Sequence, residues 1–312
     1  MKKIKKNQSL NNKFLKKEYF FPSGRAAFLQ ALKILHLDKK HKILLPSYIG
    51  LSQREGSGVL DPIHEGHVGY DFYKLNADLS VNKEDFTKKI TRNDVEAVLI
   101  IHYFGFYQKN FEYIIETCKK HNTYLIEDCA HAFNSFYKNK RLGTFGDIGF
   151  YSLHKFLATN DGGILAINNE KTQIPMNIKD DISKKNLLIL HKSNITEISK
   201  KRINNYQYLL KEIQSLRGVH PFYSTLPRAV VPINFPVIIE KKDRNHVYFS
   251  LLKKGIETVS LYHTLIPQIK KESYPRSHHI SQHILNLPIH EDLSRVDIYR
   301  MLTELEHILD SS

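Results

Sequence analysis

"GTFGDIGFYSLHKFLATNDGGILAIN" runs from Gly143 to Asn168. Two apolar runs in it, "DIGFYSL" and "GGILAIN", flank a polar turn that carries His154 and Lys155 just after Ser152. Each run is short and apolar, and a glycine pair opens the second, so the pattern predicts two strands joined by a lysine-bearing loop. A lysine there is either a solvated loop residue or an amine held in a pocket for chemistry.

Upstream, the chain alternates in type. "GRAAFLQALKILHL" carries apolar residues at helical spacing, and "KILLP" is a short apolar run stopped by proline. "VEAVLIIHYFG" predicts a strand ended by Gly105, "NFEYIIETCKKHN" a helix, "TYLIED" a strand and "FNSFYKNKRLG" a hairpin. Strand and helix in turn predict an α/β domain with a mostly parallel sheet between helices. After about residue 170 the texture changes. "EKTQIPMNIKDDISKKN" is polar, and the helical stretches "ITEISKKRINNYQYLLKEIQSL", "DRNHVYFSLLKKGI" and "SRVDIYRMLTELEHIL" surround the strand-like "PINFPVIIE". The expected organisation is a basic arm at 1–19, a large domain at 20–195 and a smaller C-terminal α+β domain at 196–312.

Composition narrows the function classes. The chain has 312 residues, 41% hydrophobic and 25% charged, which is ordinary for a globular protein. No apolar stretch approaches the roughly 20 residues of a membrane helix. The start, "MKKIKKNQSLNNKFLKKEY", lacks the apolar core of a secretory signal. Cys118 and Cys129 make no disulfide framework, and a cytoplasmic location is expected. The net charge of +14 is dispersed, with no zinc-finger spacing, RNP motif or helix-turn-helix, so it argues for a lysine-rich surface and against nucleic acid. The 17 histidines, His278 and His279 among them, offer no metal-ligand spacing.

The unusual polar residues gather at strand and helix ends, where open α/β sheets bind ligands. Asp128 closes "TYLIED", with Cys129, Ala130 and His131 after it, and Ser152 closes "GFYS". "PSGRAA" opens the first helix, whose N-terminal amides suit a phosphate, with the Arg25 guanidinium beside them. A lysine in a desolvated pocket can lose its proton and join an aldehyde. A carboxylate ending a buried strand needs a cationic or N–H partner. Phosphate, aldehyde and a protonated pyridine are the three handles of pyridoxal phosphate.

In chain order, "PSGRAAFLQAL" (22–32), "IHYFG" (101–105), "LIEDCAHAF" (125–133), "LGTFGDIGFYSLHKFLATNDGGIL" (142–165) and "ILNLPIH" (284–290) resemble the motifs of the sugar-aminotransferase family of pyridoxal phosphate enzymes, the DegT/DnrJ/EryC1/StrS group. The resemblance spans about residues 20–310 and is sharpest from Glu127 to Gly163. It implies the fold type I aminotransferase architecture and a homodimer with the active site at the interface. It implies amino transfer, with glutamate as donor, to a keto-sugar linked to a nucleotide, in making a cell-surface polysaccharide or a secondary metabolite. Lys155 would carry the cofactor, Asp128 pair with its ring nitrogen, His131 contact its ring hydroxyl side, and Ser152 bind phosphate. Gly24, Arg25 and Ala26 would form the phosphate-binding helix start. "SLYHTLIP" resembles a small-domain stretch near the substrate and makes His263 a candidate contact.

The pattern departs from the family in four places. Arg25 stands where threonine is frequent. The family's serine-to-lysine spacing is two residues longer. The cofactor-stacking aromatic position falls on Gly50, with Tyr48 the nearest ring, either a cofactor contact or ordinary packing. The stretch after "GGILAIN", which elsewhere carries an arginine loop and an asparagine for the neighbouring subunit's phosphate, is short. That shortness motivates an alternative, a cofactor-holding regulatory or sugar-sensing protein without turnover. His154 reads as structural, and a dehydratase role is disfavoured because Lys155 is retained.

Overall fold

The computed structural model describes residues 18–53, 56–169, 181–259 and 261–311. Two sequence expectations fall on other residues: most of the basic arm, and most of the polar stretch that begins at Glu170. The last two residues assigned to the arm, Glu18 and Tyr19, open a strand instead.

The first part of the chain runs β1 (Glu18–Phe21), α1 (Gly24–Ile34), β2 (Lys42–Pro46), α2 (Leu60–Glu65), β3 (Gly69–Tyr73), α3 (Lys83–Ile90), β4 (Val95–Ile101), α4 (Phe111–Lys120) and β5 (Tyr124–Asp128). A small hairpin, β6 (Phe136–Tyr137) and β7 (Lys140–Arg141), precedes β8 (Ile148–Ser152) and β9 (Gly163–Ile167). These build a seven-stranded sheet in the order β1-β9-β8-β5-β4-β2-β3. The run from β3 to β8 is parallel, while β9 is antiparallel to both β8 and β1. β4 reads VEAVLII and is buried at every position but Glu96, as a parallel strand covered on both faces requires. It stops at Ile101, four residues before the glycine expected to end it. A 3-10 turn, Tyr103–Gly105, follows, with Phe104 in the left-handed region at φ 57°.

The second part runs α5 (Lys184–Lys192), α6 (Ile195–Glu212), β10 (Val219–Pro221), β11 (Asn234–Ile239), α7 (Arg244–Lys253), α8 (Pro275–His283), β12 (Ile284–Pro288) and α9 (Arg295–Asp310). Its three strands pair antiparallel in the order β10-β11-β12. α6 packs on β11 and α9, and α7 packs on β12 and α9. Arg202 of α6 ties the two parts together. Its buried guanidinium reaches Glu291 at 2.9 and 3.0 Å and the carbonyls of Ile233 and Phe156 at 3.3 Å, the latter in the Lys155 loop. Among the described residues, no helix is long and apolar enough to cross a membrane.

Strand register brings one edge of the large sheet together. Asp128 pairs with Ile101 and Phe150, Ser152 pairs with Gly163, and Gly163 pairs with Phe21. β1 ends at Phe21 beside the start of β9, which in turn faces the end of β8, so α1 starts at that same carboxyl edge, where such sheets hold ligands.

Candidate active site

A cavity opens at this edge. Ser23, Gly24 and Arg25 of the α1 start line it, with Asp128, Ala130, Ser152, Lys155, Asp161, Tyr262 and His263. Ser23 caps α1, and its Oγ accepts the Ala26 N–H at 3.1 Å. The Ala26 amide is therefore taken by the cap, and Ala26 does not line the cavity. The helix start is pressed against the sheet: a Cβ on Gly163 would lie 2.1 Å from the Ser23 carbonyl oxygen, so a side chain there would push α1 off the edge. The Arg25 guanidinium stands 3.6 Å from Asp61, a half-exposed pair.

Lys155 sits on the loop between β8 and β9. That loop is clasped at its base, where Leu153 donates its N–H to the Gly162 carbonyl at 2.8 Å. Lys155 Nζ lies 3.3 Å from His131 Nε2. His131 is 2% exposed, and its Nδ1 accepts the Phe104 N–H at 3.3 Å. An acceptor Nδ1 has no hydrogen, so a neutral ring carries its proton on Nε2, facing the amine. Burial, then the charges of Lys155 and His154, hold the imidazole well below its usual pKa, which keeps it neutral. A donor Nε2–H meets Lys155 favourably only when the amine offers a lone pair. The left-handed Phe104, in a region non-glycine residues seldom adopt, turns its N–H to this ring.

Asp128 is 6% exposed, and the Ala130 N–H at 2.8 Å is its one hydrogen-bond donor among the described residues. Burial pushes its carboxyl up to about 6, against the lowering pull of the Ala130 amide and the Lys155 and His102 charges. Its neighbour Glu127 points to the other face of β5, as strand alternation requires. Glu127 is fully buried and saturated by donors: the Phe145 and Gly146 amides on Oε1 at 2.7 Å, and the Gly143 amide and His102 Nε2 on Oε2 at 2.8 and 3.0 Å. His102, Glu127 and Cys129 lie close enough to suggest a metal site, but four N–H donors fill the lone pairs of the carboxylate. The cluster instead anchors the 143–146 loop that leads into β8. Sequence reasoning passed over Glu127. The signal was present in an acidic pair at a strand end followed by two glycines whose amides could face it.

Ser152 is buried, and its Oγ lies 3.0 Å from His154 Nδ1, at the start of α1. His263 is exposed and lines the cavity. Tyr48 is set apart: it is fully buried behind Gly50 and does not line the cavity. Its hydroxyl accepts the Tyr262 N–H at 2.7 Å and donates to the Leu261 carbonyl at 3.1 Å. The cavity thus gathers Lys155, Asp128, Ser152, Gly24, Arg25 and His263, has His131 against Lys155, and leaves Ala26 and Tyr48 in supporting positions.

The fold is that of the aminotransferases. The aminotransferase TlmJ from Streptoalloteichus hindustanus superposes with a TM-score of 0.79 at 20% identity, covering 94% of this chain and 85% of that one. The chain belongs to the DegT/DnrJ/EryC1/StrS aminotransferase family, whose model matches residues 72–185 and 186–306. It is similar to GDP-perosamine synthase of Escherichia coli O157:H7, 39% identical over 99 residues, 31% of this chain and 26% of that protein. It is also similar to dTDP-3-amino-3,6-dideoxy-alpha-D-galactopyranose transaminase of Aneurinibacillus thermoaerophilus, 27% identical over 244 residues, 69% of this chain and 66% of that protein. The matched stretch thus spans about a quarter of the perosamine synthase and just under two thirds of the dTDP-sugar transaminase.

Proposed function

We propose that the chain is a pyridoxal phosphate-dependent aminotransferase that moves an amino group from glutamate to a keto-sugar carried on a nucleotide. One observation carries this reading: a lysine amine, an under-partnered buried carboxylate and a helix start flanked by a serine converge on one cavity. The residues fit the cofactor. The first turn of α1 with Ser152 suits the phosphate. Lys155 suits the aldehyde. Asp128 has a single hydrogen-bond donor among the described residues, and a protonated ring nitrogen would give it a close charged partner and draw the carboxyl back to its ionised form. His131 presents Nε2–H and is assigned to the ring oxygen.

Pyridoxal phosphate, when bound, supplies an aldehyde that accepts the amino group and a ring that takes up the electron pair released at the substrate carbon. Asp128 would pair with the ring nitrogen and keep it protonated. The Lys155 amine would hold the cofactor through its aldehyde and, when free, would serve as the base that carries a proton from the substrate carbon to the cofactor carbon receiving the amino group. Glu127 acts at a distance by holding the loop before β8, and so the placement of Ser152 and Lys155. His263, exposed at the mouth, is assigned to the sugar substrate. The relatives named for GDP- and dTDP-sugars support a nucleotide-linked acceptor and a role in polysaccharide or secondary-metabolite synthesis. A homodimer completing each site, a division near residue 195 and a cytoplasmic location belong to the same proposal and rest on the family resemblance.

The test has two arms. Adding L-glutamate to the coloured, cofactor-loaded protein converts its visible band to the amine form of the cofactor, and keto-nucleotide sugars then gain an amino group by mass. Loss of colour only on denaturation, with no spectral response to any amino donor, refutes amino transfer. Borohydride reduction followed by peptide mass mapping places the adduct on Lys155; an adduct elsewhere refutes its assignment.

A further inference from the structure

The family's cofactor-stacking position falls on Gly50, which has no ring. The space a side chain would take there is already filled. A Cβ on Gly50 would lie 2.0 Å from Cδ1, 2.4 Å from Cγ and 2.8 Å from Cε1 of Tyr262. Residues 261–266, far along the chain, lie antiparallel against 49–51. Leu51 N–H donates to the Thr264 carbonyl, Ile266 N–H to the Ile49 carbonyl, and Gly50 bridges Leu265. Tyr48 fixes the backbone of Tyr262 through its hydroxyl, and Tyr103 in turn donates to the Tyr48 carbonyl at 2.6 Å. Position 48 is therefore the anchor and position 50 the seat of a ring supplied from elsewhere.

Tyr262 lines the cavity with Asp128 and Lys155. Its ring centroid is 6.3 Å from the His131 ring, tilted by 34°, and 5.5 Å from the Tyr48 ring. Asp128 is near enough to contribute, after burial, to raising the Tyr262 hydroxyl above its usual range.

We propose that Tyr262 supplies the aromatic cover for the cofactor ring that position 50 lacks, so that the stacking residue of this chain comes from the segment before β12 and not from the end of β2. The proposal rests on the cofactor reading above. A ring stacked on the cofactor face adds affinity that a leucine of similar bulk does not.

Cofactor affinity, read by absorbance titration of apo-protein with pyridoxal phosphate, tests this without reference to turnover. Tyr262→Phe is expected to bind as the parent does. Tyr262→Leu is expected to bind about tenfold more weakly and to lose part of the induced circular dichroism of the bound cofactor. Moving the ring, in Gly50→Tyr combined with Tyr262→Gly, restores affinity to within about threefold of the parent, since it places an aromatic side chain in the same space. Parent-like affinity and dichroism in Tyr262→Leu overturn the proposal, as does a folded ring-transfer variant that binds no better than Tyr262→Leu. A parent protein that shows no Lys155-dependent band overturns the cofactor reading itself, which separates the two failures.

Discussion

The edge of the large sheet and the segment that covers it are built by opposite means. Asp128, Ser152 and the α1 start sit at strand and helix ends that are neighbours in the sheet, and local clasps hold the Lys155 loop in place. Tyr262 and His263 come from more than a hundred residues further along the chain and are laid over the edge by backbone pairing to residues 49–51 and by the Tyr48 hydroxyl. The cavity wall that carries Asp128, Ser152 and Lys155 thus rests on strand ends, a helix start and a clasped loop, while the wall that carries Tyr262 and His263 is docked from the second part, through contacts that substitutions can alter separately.

Removing the centre of the first region gives the largest effect. Lys155→Ala is expected to lower turnover by at least about 10⁴-fold and to abolish borohydride trapping while the thermal transition stays near the parent's; substantial residual transfer would mean that another amine does the work. Asp128→Asn follows, with turnover down about 10²- to 10⁴-fold, read by the rate of the glutamate half-reaction, because a neutral amide no longer holds the ring proton.

Next come the supports. Glu127→Gln sets an amide NH2 against backbone N–H donors in a dry site and is expected to cost about 2–4 kcal/mol in urea unfolding. Arg202→Leu leaves Glu291 and two carbonyls without their donor, at about 3–5 kcal/mol. It tests whether the two parts unfold together: a single transition at lower urea supports coupling, and two separate transitions break it.

The Asp128 carboxyl also makes a pH prediction for the cofactor-free protein. Its folded pKa of about 6 lies above the unfolded value near 3.9. Between these values the unfolded chain releases the proton first, so stability is highest below about pH 4 and falls as pH rises through 6, by about 3 kcal/mol from this group. The difference between parent and Asp128→Asn in urea midpoint at pH 5 and pH 7.5 isolates the contribution; an equal difference at both would mean that Asp128 is ionised throughout. The smallest effect belongs to Arg25→Leu, whose half-exposed pair with Asp61 contributes under about 1 kcal/mol to stability, while phosphate affinity reports separately on the helix start.

The local pattern of the sequence carried the strands around Lys155, the helix after "PSG" and the acidic strand end at Asp128, because each is a short-range matter of apolar spacing and caps. Glu127 was overlooked although its neighbour was chosen, since its partners are backbone amides sixteen to nineteen residues away. β1, β3 and β12 were not marked as strands, being short and dependent on the neighbours they pair with. Tyr48 drew attention as the nearest ring in sequence, whereas distance in sequence says nothing about which ring reaches Gly50.

By itself, the sequence determined the class of sheet, the order of its main elements and the lysine and carboxylate at its edge, because periodicity, caps and strand ends are local. Only the tertiary structure decided how His131 is held by the Phe104 amide, how Glu127 gathers its four donors, and which aromatic ring stands over the site. Those contacts join residues that the chain keeps far apart, and they exist only once the sheet has set its register and the second part has docked against it.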